Sequence, residues 1–186
     1  DHFKAIADST NIGILIHEQE LPGIHGRCLY PIELLDRLAD IPNVIALKED
    51  SKQPLYSERV IDAVSDRVNI IISGRGKRQY IHFNNMGCHA HLVGVASFAP
   101  KVAINFHKAY NQSDMKTCWG IINELERPFF DIGMRFGWHP VLKSGMEICG
   151  VMSRTERPPL CDLTTEQHEE VRDVVEKMKL SKYWAE

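Results

Sequence analysis

Apolar runs of strand length begin near residues 12, 44, 68 and 91, at a spacing close to one βα unit. An amphipathic segment follows each of the first three. Pro31 opens one, with Ile32, Leu34, Leu35, Leu38 and Ala39 as its apolar stripe; Leu55, Val60, Ile61 and Val64 mark the next; residues 77 to 86 make the third. Four such units in series imply a parallel sheet. A complete (β/α)₈ TIM barrel takes ~250 residues and keeps its active site at the carboxyl ends of its strands. Four units make half of one. The reading is therefore α/β, the second half of a (β/α)₈ barrel over 1–99. From Pro100 onward only helical periodicity is present, so 100–186 is expected to be a C-terminal helical subdomain. Its last helix should start at Thr164, where Gln167 completes a capping-box pattern.

Within that frame the most informative segment is Asn43-Val44-Ile45-Ala46-Leu47-Lys48-Glu49-Asp50-Ser51. A continuous apolar run suits a strand covered on both faces. It leads directly into Lys48, which falls on the expected catalytic side with His17 and Gly74. A lysine there can hold its stem in an apolar wall and point its amine into a pocket. Desolvation disfavours the ammonium and yields a nucleophilic amine, the requirement of a Schiff-base enzyme. Taken alone, a lysine after a strand is more often a solvated loop residue, and Glu49 a simple salt-bridge partner.

The bulk properties exclude several classes. The 186 residues carry a net charge of −3 with no basic block, which argues against nucleic acid as a partner. No apolar run approaches membrane-spanning length, and the chain opens at Asp1 without a signal peptide. The five cysteines, Cys28, Cys88, Cys118, Cys149 and Cys161, are odd in number and widely spaced, as in a cytoplasmic protein with reduced thiols. The start without methionine, inside a helical pattern, reads as a fragment. A half barrel leaves unpaired strand edges, so an N-terminal half, or another cover for those edges, is expected in the native protein.

Four pieces in the correct order resemble the dihydrodipicolinate synthase/N-acetylneuraminate lyase family, the pyruvate-type class I aldolases. They are Asn43 through Lys52, the Ser73-Gly74-Arg75-Gly76 turn, Gly87 through Pro100, and Arg157-Pro158-Pro159-Leu160. The resemblance implies that Lys48 is the Schiff-base lysine and that the protein is a homo-oligomer, usually a tetramer. It also implies that the Leu92 backbone carbonyl faces the substrate. Gly74 would similarly let main chain approach the substrate closely.

The departures from the family pattern shape the functional expectation. Where members carry Tyr-Asn after the corresponding strand, this chain has Ile16-His17-Glu18-Gln19. His17 is the expected proton shuttle, with Glu18 as its orienting partner and a member of the substrate-binding set alongside Gly74 and Leu92. Tyr30 is the nearest tyrosine but lies well down the loop. Arg27 is only near the place of the synthase arginine, which leans away from dihydrodipicolinate synthesis. Ala90, Val93 and Ser97 replace a glycine, a serine and an asparagine of the pattern.

Rival features are weaker. His89 and His91 have a spacing compatible with metal ligation, with no acid completing a set, and a packed histidine is the simpler reading. Gly74 to Arg78 looks like a small anion cradle without Walker-A spacing. Lys77 is expected in a charge-rich turn and Lys143 in a tail helix, neither with the setting of Lys48. The leading expectation is a Schiff-base lyase, aldolase or dehydratase, acting on a 2-keto acid such as pyruvate or a 2-keto-3-deoxy sugar acid, with no metal or organic cofactor. The alternatives are a catalytically silent member that binds a keto or sugar acid or serves as a structural subunit, and a metal-dependent aldolase.

Overall fold

The computed structural model describes residues 1–19, 29–74 and 76–183, with residues 182 and 183 described by backbone alone. The chain divides into two compact units, Asp1–Leu92 and Val93–Glu186.

In the first unit the element order is α1 (His2–Asp8), β1 (Ile14–Gln19), α2 (Ile32–Ala39), β2 (Val44–Asp50), α3 (Pro54–Val64), β3 (Asn69–Ile72), α4 (Gly76–Phe83) and β4 (Cys88–His91). The four strands form one sheet in the order β1-β2-β3-β4, every pair parallel. Sequential neighbours paired in parallel, each joined through a helix, are the βα units that the spacing implied. The helices begin where the chain can start one. Proline stands just before α2 and at the first residue of α3, where its missing N–H costs nothing. The φ of +114° at Gly87 lets the chain turn out of the 3₁₀ turn Asn84–Met86 and into β4.

One face of the sheet packs against the helices. Ile16, Leu47, Ile70 and Ile72 are buried there, with Leu35 and Leu38 of α2 and Val60, Ile61 and Val64 of α3. Each such side chain contributes on the order of 1.5–3 kcal/mol by leaving water. The opposite face is open: Leu15 and Ile45 stay 47% and 51% exposed. The expectation that β2 is covered on both faces therefore holds on one face only. Irregularities locate the rest. Ile45 is the extra residue of a bulge, since Ile14 pairs with Val44 and Leu15 with Ala46.

The last strand differs from its expected position. It runs over Cys88–His91 rather than 91 to 96, and Leu92 adds one further ladder bond to the Ile72 carbonyl at 3.0 Å. Residues Gly94–Ser97 form a 3₁₀ turn instead, with Gly94 pressed against the Trp138 ring.

The second unit holds α5 (Pro100–Asn111), α6 (Met115–Ile121), α7 (Arg127–Phe136), α8 (Trp138–Ile148) and α9 (Thr165–Lys177). A π-helical stretch, Ile122–Glu126, joins α6 to α7. Phe106, Phe129, Ile122, Leu125, Val141 and Val171 form its core. The capping box at Thr164 and Gln167 is present in both directions. No strand occurs in this unit among the described residues, and no described helix is long and apolar enough to cross a membrane.

Candidate active site

Alternation along β2 decides what reaches the open face. Lys48 is the register partner of His17 on β1 and of Ile71 on β3, so the three side chains share one face. Asp50, two residues beyond Lys48, shares it too. One carboxylate oxygen of Asp50 ties the two basic groups together. Its Oδ2 lies 3.4 Å from His17 Nε2 and 3.8 Å from Lys48 Nζ. The Lys48 side chain is 16% exposed, that of Asp50 13% and that of His17 38%. The amine thus points toward the carboxyl end of a central strand, with an imidazole beside it. Its wall is not wholly apolar as expected, because it contains a carboxylate.

The residues on either side of Lys48 and Asp50 point the other way and build the floor. Glu49 is fully buried. It accepts hydrogen bonds from the Ser51 N–H and the Ser57 hydroxyl, both at 2.8 Å, and from Gln79 Nε2 at 3.4 Å. Ser73 N–H donates to its carbonyl at 3.0 Å. These bonds fasten the end of β2 to α3, α4 and the turn after β3. Buried donors aimed at a buried carboxylate are the arrangement that burial demands.

Glu18 lies on the helix-facing side, away from the His17 ring; the acid beside that ring is Asp50. The Glu18 carboxyl is 2.5 Å from both the Tyr56 hydroxyl and the Tyr30 N–H. Burial pushes its pKa up, against the lowering effect of those two donors. Burial and the nearby Glu18 carboxyl push the Tyr56 phenol up as well.

Gly74 is buried in the turn after β3. A Cβ there would meet Lys52 Cγ at 3.0 Å and Lys52 N at 3.1 Å, so the close approach of main chain is to Lys52. Leu92 is 48% exposed, one residue beyond β4. Both stand at strand carboxyl ends, the side on which Lys48 and His17 meet. Arg27 and Arg75 lie outside the described residues.

The rivals separate cleanly. Lys77, expected in a solvated turn, is fully buried in the first turn of α4. Lys143 is held by Glu156 Oε2 at 2.7 Å and the Thr155 carbonyl at 2.9 Å. His89 is the bulge residue of β4 and accepts the Ile70 N–H through Nδ1, while His91 is buried against the Tyr80 ring. The bulge removes the shared face that the His-x-His spacing promised. Among the described residues no group of three or more His, Cys, Asp and Glu is placed to hold a metal. Burial raises the Cys88 thiol to about 11, which fits a core residue.

In the second unit Ser144 Oγ lies 2.7 Å from His168 Nδ1, and Glu147 Oε2 lies 3.7 Å from His168 Nε2. The set resembles a nucleophile triad, but its protons run the wrong way. Arg172 Nη2 contacts His168 Nε2 at 3.1 Å, and a guanidinium can only donate. The imidazole hydrogen is therefore on Nδ1 and is given to Ser144, which is fully buried. This cluster clamps α8 to α9.

Asp50 and Tyr56 were missed by sequence reasoning. A signal existed for Asp50: i and i+2 on a strand share a face. None existed for Tyr56, whose partner is 38 residues away.

The chain is 27% identical over 182 residues to a probable 5-dehydro-4-deoxyglucarate dehydratase of Allorhizobium ampelinum, covering 96% of this chain and 58% of that protein. A protein of the same description from Rhizobium meliloti is 28% identical over 180 residues, covering 94% of this chain and 58% of the relative. The chain thus spans a little over half the length of these curated relatives. The dihydrodipicolinate synthases of Aquifex aeolicus and Thermotoga maritima superpose with a TM-score of 0.80, at 18% and 20% identity. They cover 96% of this chain in both cases, and 59% and 60% of their own. That likeness shows the fold, a four-unit portion of a TIM barrel with its helical extension. The dihydrodipicolinate synthetase family model matches residues 1–178. With a match of that extent, laid over a parallel sheet that brings a lysine and a histidine together at its carboxyl end, the chain belongs to the dihydrodipicolinate synthetase family.

Proposed function

We propose that this chain carries the lysine of a Schiff-base lyase acting on a 2-keto acid, with a 2-keto-3-deoxy sugar acid as the favoured substrate class. The observation that carries the proposal is the placement of Lys48 on the open face of β2 with His17 as its register partner. The names of the relatives support the substrate class. A 5-dehydro-4-deoxyglucarate bears a keto group next to one terminal carboxylate and a methylene beside it. Numbered from that end, it is a 2-keto-3-deoxy sugar acid.

In this reading the Lys48 amine attacks the keto carbon, and loss of water gives a protonated imine. The imine draws electrons from the adjacent carbon, so that carbon releases a proton or an aldehyde. In the dehydratase direction the hydroxyl on the next carbon leaves with a proton, and water then frees the product from Lys48. His17 is the proton shuttle for these transfers. Gly74 and the Leu92 carbonyl contribute main chain to the substrate side. No organic cofactor takes part, and the active protein is a homotetramer; light scattering of the native protein is the measurement that tests this. Glu18 contributes from behind the site, by fastening Tyr30 and Tyr56.

The experiment is incubation of the native protein with pyruvate and borohydride, followed by mass location of the adduct. The expected outcome is one pyruvyl-derived mass on Lys48. A second reading, a member that binds a keto acid without turning it over, is favoured by the absence of tyrosine from Ile16-His17-Glu18-Gln19. It predicts ligand binding without turnover. An unlabelled Lys48 in protein that still binds pyruvate would select it.

A further inference from the structure

Asp50 interrupts the local logic of its strand. Aspartate is depleted in β-strands, and the sheet face it occupies carries Leu15, Ala46 and Ile71 around the polar groups Lys48, His17 and Gln19. Its side chain is nevertheless held at 13% exposure, two residues after Lys48. A residue that breaks local preference on a site-bearing face calls for a chemical reason. A simple surface ion pair would contribute ~0–1 kcal/mol and gives no reason for one oxygen to serve two bases.

The geometry supplies one. Asp50 Oδ2 reaches both Lys48 Nζ, at 3.8 Å, and His17 Nε2, at 3.4 Å. An ammonium has no lone pair and cannot attack a carbonyl, so Lys48 must lose a proton first. The imidazole of His17 is 38% exposed and can exchange that proton with water. We infer that Asp50 is the proton relay of the lysine, taking and returning the Lys48 proton during imine formation and linking that nitrogen to the His17 imidazole for the carbon chemistry that follows. The inference rests on the reading of Lys48 as the Schiff-base residue and deepens it.

The step balances as follows. Asp50 takes one proton from the Lys48 ammonium. The free amine adds to the keto carbon, and the nitrogen passes one proton to the new oxyanion, giving a neutral carbinolamine. Asp50 then returns its proton to that hydroxyl. The C–O bond breaks, water leaves, and the nitrogen lone pair forms the C=N bond of the protonated imine. The three ammonium hydrogens end as one on the imine and two in the released water. Asp50 is again a carboxylate, placed beside the new positive charge. For the later carbon deprotonation the same oxygen connects the imine end of the site to His17.

The test uses the native protein, pyruvate and saturating cyanoborohydride, so that growth of the Lys48 adduct reports imine formation. Asp50→Asn keeps the shape and removes the base. Its trapping rate near neutral pH is expected to fall roughly 100-fold, the scale of one acid–base group. The rate should recover as pH rises and solvent takes over the proton. Asp50→Glu should stay within roughly tenfold of wild type, as a carboxylate on a longer arm. Asp50→Ser with added formate covers the case in which the Asn variant fails to fold. Formate is expected to restore trapping, and an unaltered rate with formate overturns the relay. Wild-type trapping that Asp50→Asn matches in rate and pH profile also overturns it, leaving the Schiff-base reading intact. Absence of trapping in wild type overturns both.

Discussion

The Tyr56 hydroxyl lies 2.5 Å from Glu18 Oε1 and 2.8 Å from the Tyr30 carbonyl. A phenol has one hydrogen, and two acceptor oxygens flank it. Both contacts are hydrogen bonds when the Glu18 carboxyl keeps its own proton and donates it to the phenol, freeing the phenol hydrogen for Tyr30. The upward shift that burial imposes on Glu18 favours that protonation state. Directly behind His17, Glu18 and Tyr56 together fasten the backbone at Tyr30.

The sign of the resulting pH dependence follows. Glu18 binds its proton more tightly in the folded state than in the unfolded chain. Its contribution is complete below the ordinary glutamate pKa of ~4.3 and is lost as pH rises through the raised folded value. Glu18→Gln keeps an acceptor oxygen for Tyr30 and Tyr56 and carries no group that titrates. Urea midpoints across pH should show the variant matching wild type in acid and exceeding it by about 1 kcal/mol at pH 8. A parallel pair of curves would count against an upward shift of Glu18 on folding.

Lys48→Arg preserves the positive charge beside Asp50 and removes a nucleophile that can form an imine. Borohydride trapping should vanish while the circular dichroism spectrum and melting temperature stay near wild type. Adduct mass on Lys77 or Lys143 in this variant would shift the chemistry away from β2.

His17→Gln retains a hydrogen-bonding group at the site and removes the imidazole that shuttles the proton. Turnover of a 2-keto-3-deoxy sugar acid should fall by roughly 10²–10⁴-fold. Reductive trapping of Lys48 should be affected much less than turnover, because Asp50 takes the ammonium proton and returns it within imine formation. Equal losses in both assays would place His17 in imine formation rather than in the carbon chemistry.

Glu49→Ala strands the Ser51 N–H, the Ser57 hydroxyl and the Gln79 amide in a dry setting. Denaturant titration should show a loss of roughly 2–4 kcal/mol. Where the protein still folds, trapping at Lys48 should slow as well, since the same bonds hold the end of its strand.

His168 supplies a pH response of the opposite sign in the helical unit. Burial, followed by Arg154 and Arg172, lowers its pKa. It therefore stabilises this unit above the ordinary histidine value of ~6.5, and that contribution is lost as pH falls through the lowered folded value. Ser144→Ala leaves the Nδ1 hydrogen without its acceptor and should cost about 1–2 kcal/mol at pH 8 by thermal unfolding. It should leave pyruvate trapping at Lys48 unchanged, as befits a clamp between α8 and α9.

The sequence by itself determined the elements that repeat. Apolar runs separated by proline-opened amphipathic segments can pair only as parallel strands with helical crossovers, and the continuous run into Lys48 marked the end of the strand that bears it. Periodicity also places His17 beside the carboxyl end of its own strand. Tertiary structure alone decided which neighbours matter. A side-chain period of two sent Glu18 to the helix side, where Tyr56 and Tyr30 meet it, and put Asp50 on the face of Lys48. A bulge at His89 undid the spacing with His91, and packing of α4 turned Lys77 from a surface charge into a buried one. These outcomes depend on register, bulges and contacts between residues tens of positions apart, and local composition carries no record of which distant side chain will arrive.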